Sequence, residues 1–312
     1  METDISSIAF QEDFLLWTEL SVENKVINIK RAVNDSLPIL INNQTIQQST
    51  SAKLIANQLN AIVQKYEIKS QNVRIAIPGR FSNIKKIVID ESIPEDSYRD
   101  LVVYEFEKSW DEQPENYQIF MPEFMRENGA FRELLAVAIR KSILKFFEEI
   151  CESAQIQADI ITPSCFTVDE FFRSLHPEID EHALILGWQR RGYDVIISDK
   201  QNFINYCFRP YNFNLDPIEQ VDEEGLLSAF NMLFEEIQHP SALEQPLYNI
   251  QSIYFYGYHF KLEWLETIKR QVNVPVNLLN LDQSSIYKLA PESQEVTADR
   301  IFQLIEPISN IF

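Results

Sequence analysis

Twice along its 312 residues this chain spells out the same order of elements: three strands, a helix, then a fourth strand. In the first half, residues 7–10, 14–20 and 26–33 read as strands joined by short polar turns, as in hairpins. Residues 51–66 follow as an amphipathic helix, with Leu54, Ile55, Leu59, Ile62 and Val63 on one face and Ser51 placed to cap its start. Val73-Arg74-Ile75-Ala76-Ile77 is the fourth strand, and Pro78-Gly79 ends it with a strong turn signal. In the second half the strands are 183–187, 193–198 and 203–208. The helix is 223–238, with Leu226, Phe230, Leu233 and Phe234 on its apolar side, and 253–257 is the fourth strand. A repeat of about 180 residues is far too long for a solenoid. It predicts two α/β lobes of like build facing each other across a cleft.

His176-Pro177-Glu178 marks the expected boundary, which gives a first lobe of residues 1–175 and a second of 176–312. The first lobe carries inserted material at 81–124: a strand at 85–89 and a helix at 94–110. Ser92, Pro94, Glu95 and Asp96 favour a helix start there. A strand at 133–139, a helix at 141–154, a strand at 157–162 and a helix at 165–175 complete this half. The second ends with a helix at 260–272, a strand at 274–279 and a short helix with a tail at 299–312.

Glycine narrows the chemistry. The chain has six glycines, about 2% against a usual share near 7%. Loops that cradle phosphate need glycine, because backbone N–H groups must approach the anion closely, often at positive φ. A formal charge of -20 argues against nucleic acid and anionic lipid as direct partners. No apolar run is long enough to cross a membrane, and residues 1–7 lack the basic and apolar parts of a secretory signal. Cys151, Cys165 and Cys207 are widely spaced and odd in number, which suits reduced thiols in a cytoplasm.

Side chains with chemistry are few. Glu12 and Asp13 could hold a divalent cation, but read more simply as a solvated turn. Arg190 and Arg191 could clamp an anion, or be two exposed charges in a polar turn. His176, His182, His239 and His259 show no metal spacing. No Walker loop or nucleophile elbow is present. The rings of Tyr248, Tyr254, Phe255, Tyr256, Tyr258, Phe260 and Trp264 read mainly as core. Trp110, Tyr117, Phe120 and Phe124, among acids and prolines, are better candidates for a binding surface.

Several segments carry a resemblance, taken in order over residues 7–280. They are VRIAIPG at 73–79, Lys86-Ile87-Val88-Ile89 followed by Ile93-Pro94-Glu95, and Val103-Tyr104-Glu105-Phe106. Glu133-Leu134-Leu135-Ala136-Val137-Ala138 followed by Lys141, and IQADIITPSCFTVDEFF at 156–172, complete the set. Together they resemble the PilM family of type IV pilus assembly proteins, with the cytoplasmic part of the GspL secretion proteins next. The resemblance implies a two-lobed actin-like ATPase fold of duplicated ribonuclease H-like lobes, with a small inserted subdomain in the first.

The departures fall where ATP-binding members do their chemistry. Their first hairpin is of Asp-Ile-Gly type; here it is Gln11-Glu12-Asp13-Phe14. Their second is Asp-x-Gly followed by Thr; here the stretch is Gly187-Trp188-Gln189-Arg190-Arg191-Gly192-Tyr193. Their adenosine turn is a run of glycines; here it is Tyr256-Gly257-Tyr258-His259. Asp13, Gln189 and Gly257 are thus expected as vestigial cleft positions, with no catalytic residue, metal or cofactor. By resemblance the function is that of a cytoplasmic, non-catalytic scaffold or adaptor without membrane insertion. Its partner would be a peptide, the cytoplasmic tail of an inner-membrane assembly protein, bound in a groove near 81–124. A basic and apolar peptide would suit the acidic chain, and association of several copies is compatible with this reading. The rivals are a divergent ATPase or kinase of the same superfold, and a free-standing acidic adaptor unrelated to pili.

Overall fold

The computed structural model describes residues 3–90, 92–109, 112–122, 125–128, 131–239, 248–281, 288–290 and 298–311. The first half builds β1 (Thr3–Phe10), β2 (Phe14–Glu23), β3 (Val26–Ser36), a one-turn α1 (Asn43–Ile46), α2 (Ser51–Tyr66) and β4 (Val73–Ile77). The insertion supplies β5 (Ser82–Asp90), α3 (Tyr98–Glu107), β6 (Tyr117–Phe120) and β7 (Met125–Asn128). Strand β8 (Phe131–Arg140) completes the inserted sheet past the expected limit of 124, and α4 (Lys141–Ala154), β9 (Ala158–Pro163) and α5 (Ser164–Leu175) follow. The second half builds β10 (His182–Trp188), β11 (Gly192–Ser198), β12 (Phe203–Pro210), α6 (Glu223–Gln238), β13 (Ile250–Tyr256), α7 (Leu262–Lys269) and β14 (Val276–Leu278). The end of the chain adds β15 (Lys288–Leu289), a 3₁₀ stretch (Ala298–Leu304) and α8 (Ile305–Ser309).

The duplication is visible in the sheets. The first runs β15-β3-β2-β1-β4-β9 and the second β12-β11-β10-β13-β14. Without β15 the two orders match strand for strand. In each, three strands form an antiparallel meander and two more add in parallel. A parallel neighbour cannot be reached by a tight turn, so a helix must carry the chain across; α2 and α6 do so. Helix α2 buries Ile55, Leu59 and Ile62 and stops where Glu67 turns left-handed at φ 54°. Its N-cap is Thr50, with no side-chain bond; Ser51, expected as the cap, lies inside the first turn and is buried.

The insertion is a small sheet in the order β5-β8-β6, with β7 also on β8. It buries Ile87, Ile89, Ile119 and Leu134 against Tyr98, Val102 and Phe106 of α3. Strands β6 and β15 and helix α1 were not foreseen, being two to four residues long and without a readable period. The aromatic stretch is mostly core: Tyr254, Phe255, Tyr256, Phe260 and Trp264 are buried, whereas Tyr258 is exposed. Trp110 and Phe124 lie outside the described residues.

A single apolar core joins the two sheets. It contains Ala9, Leu16 and Ala76 of the first sheet, Ile185, Ile196 and Tyr256 of the second, and Val168, Phe171 and Phe172 of α5. Ile301, Leu304, Ile305 and Ile308 belong to it as well. The end of the chain therefore crosses back: β15 pairs in parallel with β3 of the first sheet, and α8 packs on β1, β2, β4 and α5.

Glycine is retained here where rings crowd the backbone. A Cβ on Gly187 would sit 2.5 Å from Cζ and Oη of Tyr256, a fully buried ring. Gly187→Ala should therefore cost about 1–3 kcal/mol through overpacking. Urea unfolding would show this as a lower midpoint, and an unchanged midpoint would contradict the contact.

Candidate functional site

The β1–β2 turn (Gln11, Glu12, Asp13) and the β10–β11 turn (Gln189, Arg190, Arg191) sit at matching points of the duplicated lobes and face each other. The carbonyls of both turns are engaged within their own lobes. The Glu12 and Asp13 carbonyls accept from the N–H groups of Ile41 and Leu37, each at 2.7 Å. The Arg190 and Arg191 carbonyls accept from Ile218 at 2.7 Å and Tyr211 at 3.1 Å. No residue of either turn is among the positive-φ positions of the described residues, so neither forms the concave run of N–H groups that holds phosphate.

Ion pairs close one turn on the other. Glu12 Oε1 lies 2.7 Å from Arg191 Nε, and its Oε2 lies 3.4 Å from an Arg80 guanidinium nitrogen. Asp13 Oδ2 lies 3.2 Å from Arg190 Nε. The contacts at Arg190 and Arg191 Nε are charge facing charge rather than aligned N–H···O bonds, since neither Nε makes a directed hydrogen bond. The reading of Glu12 and Asp13 as a solvated turn is corrected here. Glu12 is buried, because arginines from the other lobe and from the turn after β4 cover it. Asp13 is a lobe-to-lobe partner of Arg190, and its carboxyl is pushed up mainly by burial. His259 stands beside Asp13 and Arg190, and burial lowers its basicity.

Behind these pairs lies a buried carboxyl that the sequence did not disclose. Glu306 of α8 accepts from the side-chain amide of Gln11 on the first lobe. It also accepts at 2.9 Å from Gln189 Nε2 on the second. The same Gln189 amide donates at 2.7 Å to Asp194 Oδ2, while Tyr206 Oη donates at 2.6 Å to Asp194 Oδ1. Asp194 is buried, and desolvation raises its pKa despite the Arg80 charge. Burial and the Asp194 charge push Glu306 up to about 8, since both favour the neutral acid. The space left between the turns is about 10 Å³, roughly one water.

Gly257 has φ +114°, and a Cβ there would lie 2.7 Å from the Trp188 carbonyl oxygen. Its N–H donates at 2.9 Å to Phe302 O, a backbone group of the chain's own end. Trp188 turns away from the cleft into a ring cluster with Tyr193, Phe260 and Trp264. Of the three expected positions, Gln189 faces the cleft interior, Asp13 its rim, and Gly257 the returning segment. Gln11, Asp194, Arg80 and Glu306 were missed. The one local sign of Glu306 is a lone acid in the apolar run Leu304-Ile305-Glu306-Pro307-Ile308, costly to bury without partners.

A groove lies beside this closed cleft. It has a volume of about 400 Å³ and is lined by Arg80, Phe81, Ile84, Tyr117, Arg140 and Phe208, among others. It thus lies near the expected stretch 81–124, but β12 of the second lobe supplies one wall. Arg80 lies over the rings of Phe81 and Phe208, at 5.5 and 5.7 Å from their centroids. Arg140 Nε donates to Tyr117 Oη at 3.3 Å, and another guanidinium nitrogen lies 2.9 Å from Glu112. The local walls carry arginine, unlike the acidic setting that net charge suggested. Among the described residues no cluster of His, Cys, Asp and Glu could hold a metal ion, and no helix is long and apolar enough to cross a membrane.

The raised acids fix a pH dependence. A carboxyl whose folded-state pKa is raised makes the fold bind a proton that the unfolded chain gives up. Its contribution is complete below the usual glutamate value of 4.5 and is lost as pH climbs to about 8 for Glu306. Asp169, buried and pushed up to about 6, adds in the lower part of that window. Thermal stability should fall between pH 5 and 8, and Glu306→Gln should flatten the upper part of the fall. Parallel melting curves for the two proteins across that range would contradict the assignment.

No protein-family model and no curated protein matches the sequence. Solved structures do match it. A chain of the PilM–PilN type IV pilus biogenesis complex superposes with a TM-score of 0.74 at 12% identity, over 99% of this chain and 96% of that one. The cytoplasmic domain of EpsL, an inner membrane component of the type II secretion system of Vibrio cholerae, gives 0.52 at 8% identity, over 97% and 94%. The ethanolamine utilization protein EutJ from Carboxydothermus hydrogenoformans gives 0.50 at 8% identity, over 98% and 88%. At such identities the likeness is one of fold, and the chain has an actin-like fold similar to that of PilM.

Proposed function

We propose that this chain is a non-catalytic, PilM-like adaptor of the cytoplasm. It binds the short cytoplasmic tail of an inner-membrane assembly partner in the groove between the insertion, the first lobe and β12. The observation that carries the reading is the filled cleft. Where two phosphate-holding turns would face each other, amides from both lobes hold a carboxyl of the chain itself. What remains open is the adjacent groove, whose volume falls within the usual range for ligand sites. Its aromatic and arginine lining is of the kind that anchors binding partners. The solved complex of PilM with PilN supports a protein partner by likeness of fold.

Two titrations test this. Calorimetry and thermal shift with millimolar ATP and magnesium should show no heat and no stabilisation. A ligand of the folded state at a hundred times its dissociation constant would add about 2.7 kcal/mol. Clear stabilisation would put the ATPase or kinase reading first. A peptide copying the cytoplasmic tail of a single-span membrane protein encoded beside this chain should bind. Phe81→Ala or Arg140→Ala should weaken it roughly tenfold or more. Equal affinity for the variants would remove the groove from the reading, and no binding would favour an adaptor unrelated to pili.

A further inference from the structure

The end of the chain does more than complete a core. Ile301, Phe302, Ile305 and Ile308 are each at most 1% exposed; the three isoleucines lie in the core that joins the two sheets and Phe302 in that of the second lobe. The segment also makes polar ties to both lobes. To the first lobe, Asn310 Nδ2 donates to Ser7 Oγ at 3.2 Å. An Arg74 guanidinium nitrogen donates to Asn310 O at 3.1 Å, and Ser309 Oγ donates to Thr167 Oγ1 at 3.0 Å. To the second lobe, Phe302 O accepts from the Gly257 N–H at 2.9 Å. Glu306 alone is held by both lobes at one side chain, through Gln11 and Gln189.

We infer that residues 301–311 form a strap that fixes the angle between the lobes, with the Glu306 carboxyl as its latch: the lobes part only when that carboxyl leaves Gln11 and Gln189. The strap works whether or not a peptide sits in the groove. As a neutral acid, Glu306 accepts two amide N–H groups and adds no charge beside Asp194. Ionised, it would be a second buried carboxylate next to Asp194; the two amide N–H groups favour that charge but do not offset burial and the Asp194 charge. The other titratable groups around it are Tyr206 on β12, Tyr256 on β13 and Cys165 on α5. Burial raises all three well above their ordinary values, so they stay neutral near pH 9. Glu12 and Asp13 on the first turn are engaged by Arg80, Arg191 and Arg190, and Arg74 faces the strap's backbone. Loss of the Glu306 proton is therefore the event that turns the latch.

The test measures the lobe-to-lobe distance in the full chain. Spin labels on Lys53→Cys of α2 and Met232→Cys of α6, both exposed, are read by pulsed dipolar spectroscopy in a Cys207→Ser background. One narrow distance is expected at pH 6, and a second, longer one at pH 9. Glu306→Gln, neutral at every pH, should keep the narrow distance throughout. A distribution unchanged between pH 6 and 9 in the parent, or a Glu306→Gln chain that opens like the parent, would overturn the inference. Hydrogen exchange in the unsubstituted protein gives a second readout. The Gly257 amide should exchange faster above pH 8 than hydroxide catalysis alone accounts for. Exchange that follows that trend would show the strap docked at every pH and count against the latch.

Discussion

A carboxyl removed from water is costly unless it is hydrogen-bonded, neutralised, or both. Glu306 is placed so that both conditions depend on two different lobes. Gln11 comes from a turn near the start of the chain and Gln189 from its counterpart past the midpoint. If either lobe rotates away, a buried acid loses an amide donor. This constraint explains why the surrounding features take their form. Each turn uses its backbone locally, Glu12 and Asp13 are turned outward onto arginines, and the Gly257 N–H is taken by the segment that delivers Glu306. The space between the turns becomes protein interior, filled by the chain's own residues.

The groove owes its position to the same arrangement. Its walls come from the insertion, from the turn after β4, and from β12, so it exists only while the lobes stand at this angle. Tyr206 links the two regions: its ring edges the groove and its hydroxyl holds Asp194, which shares the Gln189 amide with Glu306. The total charge of the chain says little about such a place. A surface with a large excess of acids still gathers Arg80 and Arg140 at one groove, because each is fixed by a local carboxylate and an aromatic neighbour.

The elements were legible because their periods are local. The spans 51–66, 73–77, 141–154 and 223–238 are those the structure shows, and each is a run whose apolar spacing admits one reading. The duplicated order predicted two sheets of like build, which share a strand order. Strands β6 and β15 were not legible, since four and two residues carry no period. The heart of the site was not legible for a different reason. Gln11 and Glu306 are 295 positions apart, and Gln189 and Glu306 117; no window along the chain places them together. Read locally, Glu12 and Asp13 are two acids in a turn. Only the folded chain shows that the other lobe brings arginines to them.

The scarcity of glycine also has a thermodynamic side. Glycine gives the unfolded chain more backbone freedom than any other residue, and replacing one at a compatible position stabilises a fold by about 0.4–1 kcal/mol through the unfolded state alone. Four of the five described glycines sit where another residue would collide: Gly79 under the Tyr206 ring, Gly187 under Tyr256, Gly192 against the Arg209 carbonyl and Gly257 against Trp188. A composition this poor in glycine thus makes the disordered chain stiffer, and so lowers the conformational entropy that two lobes and a strap must overcome to assemble.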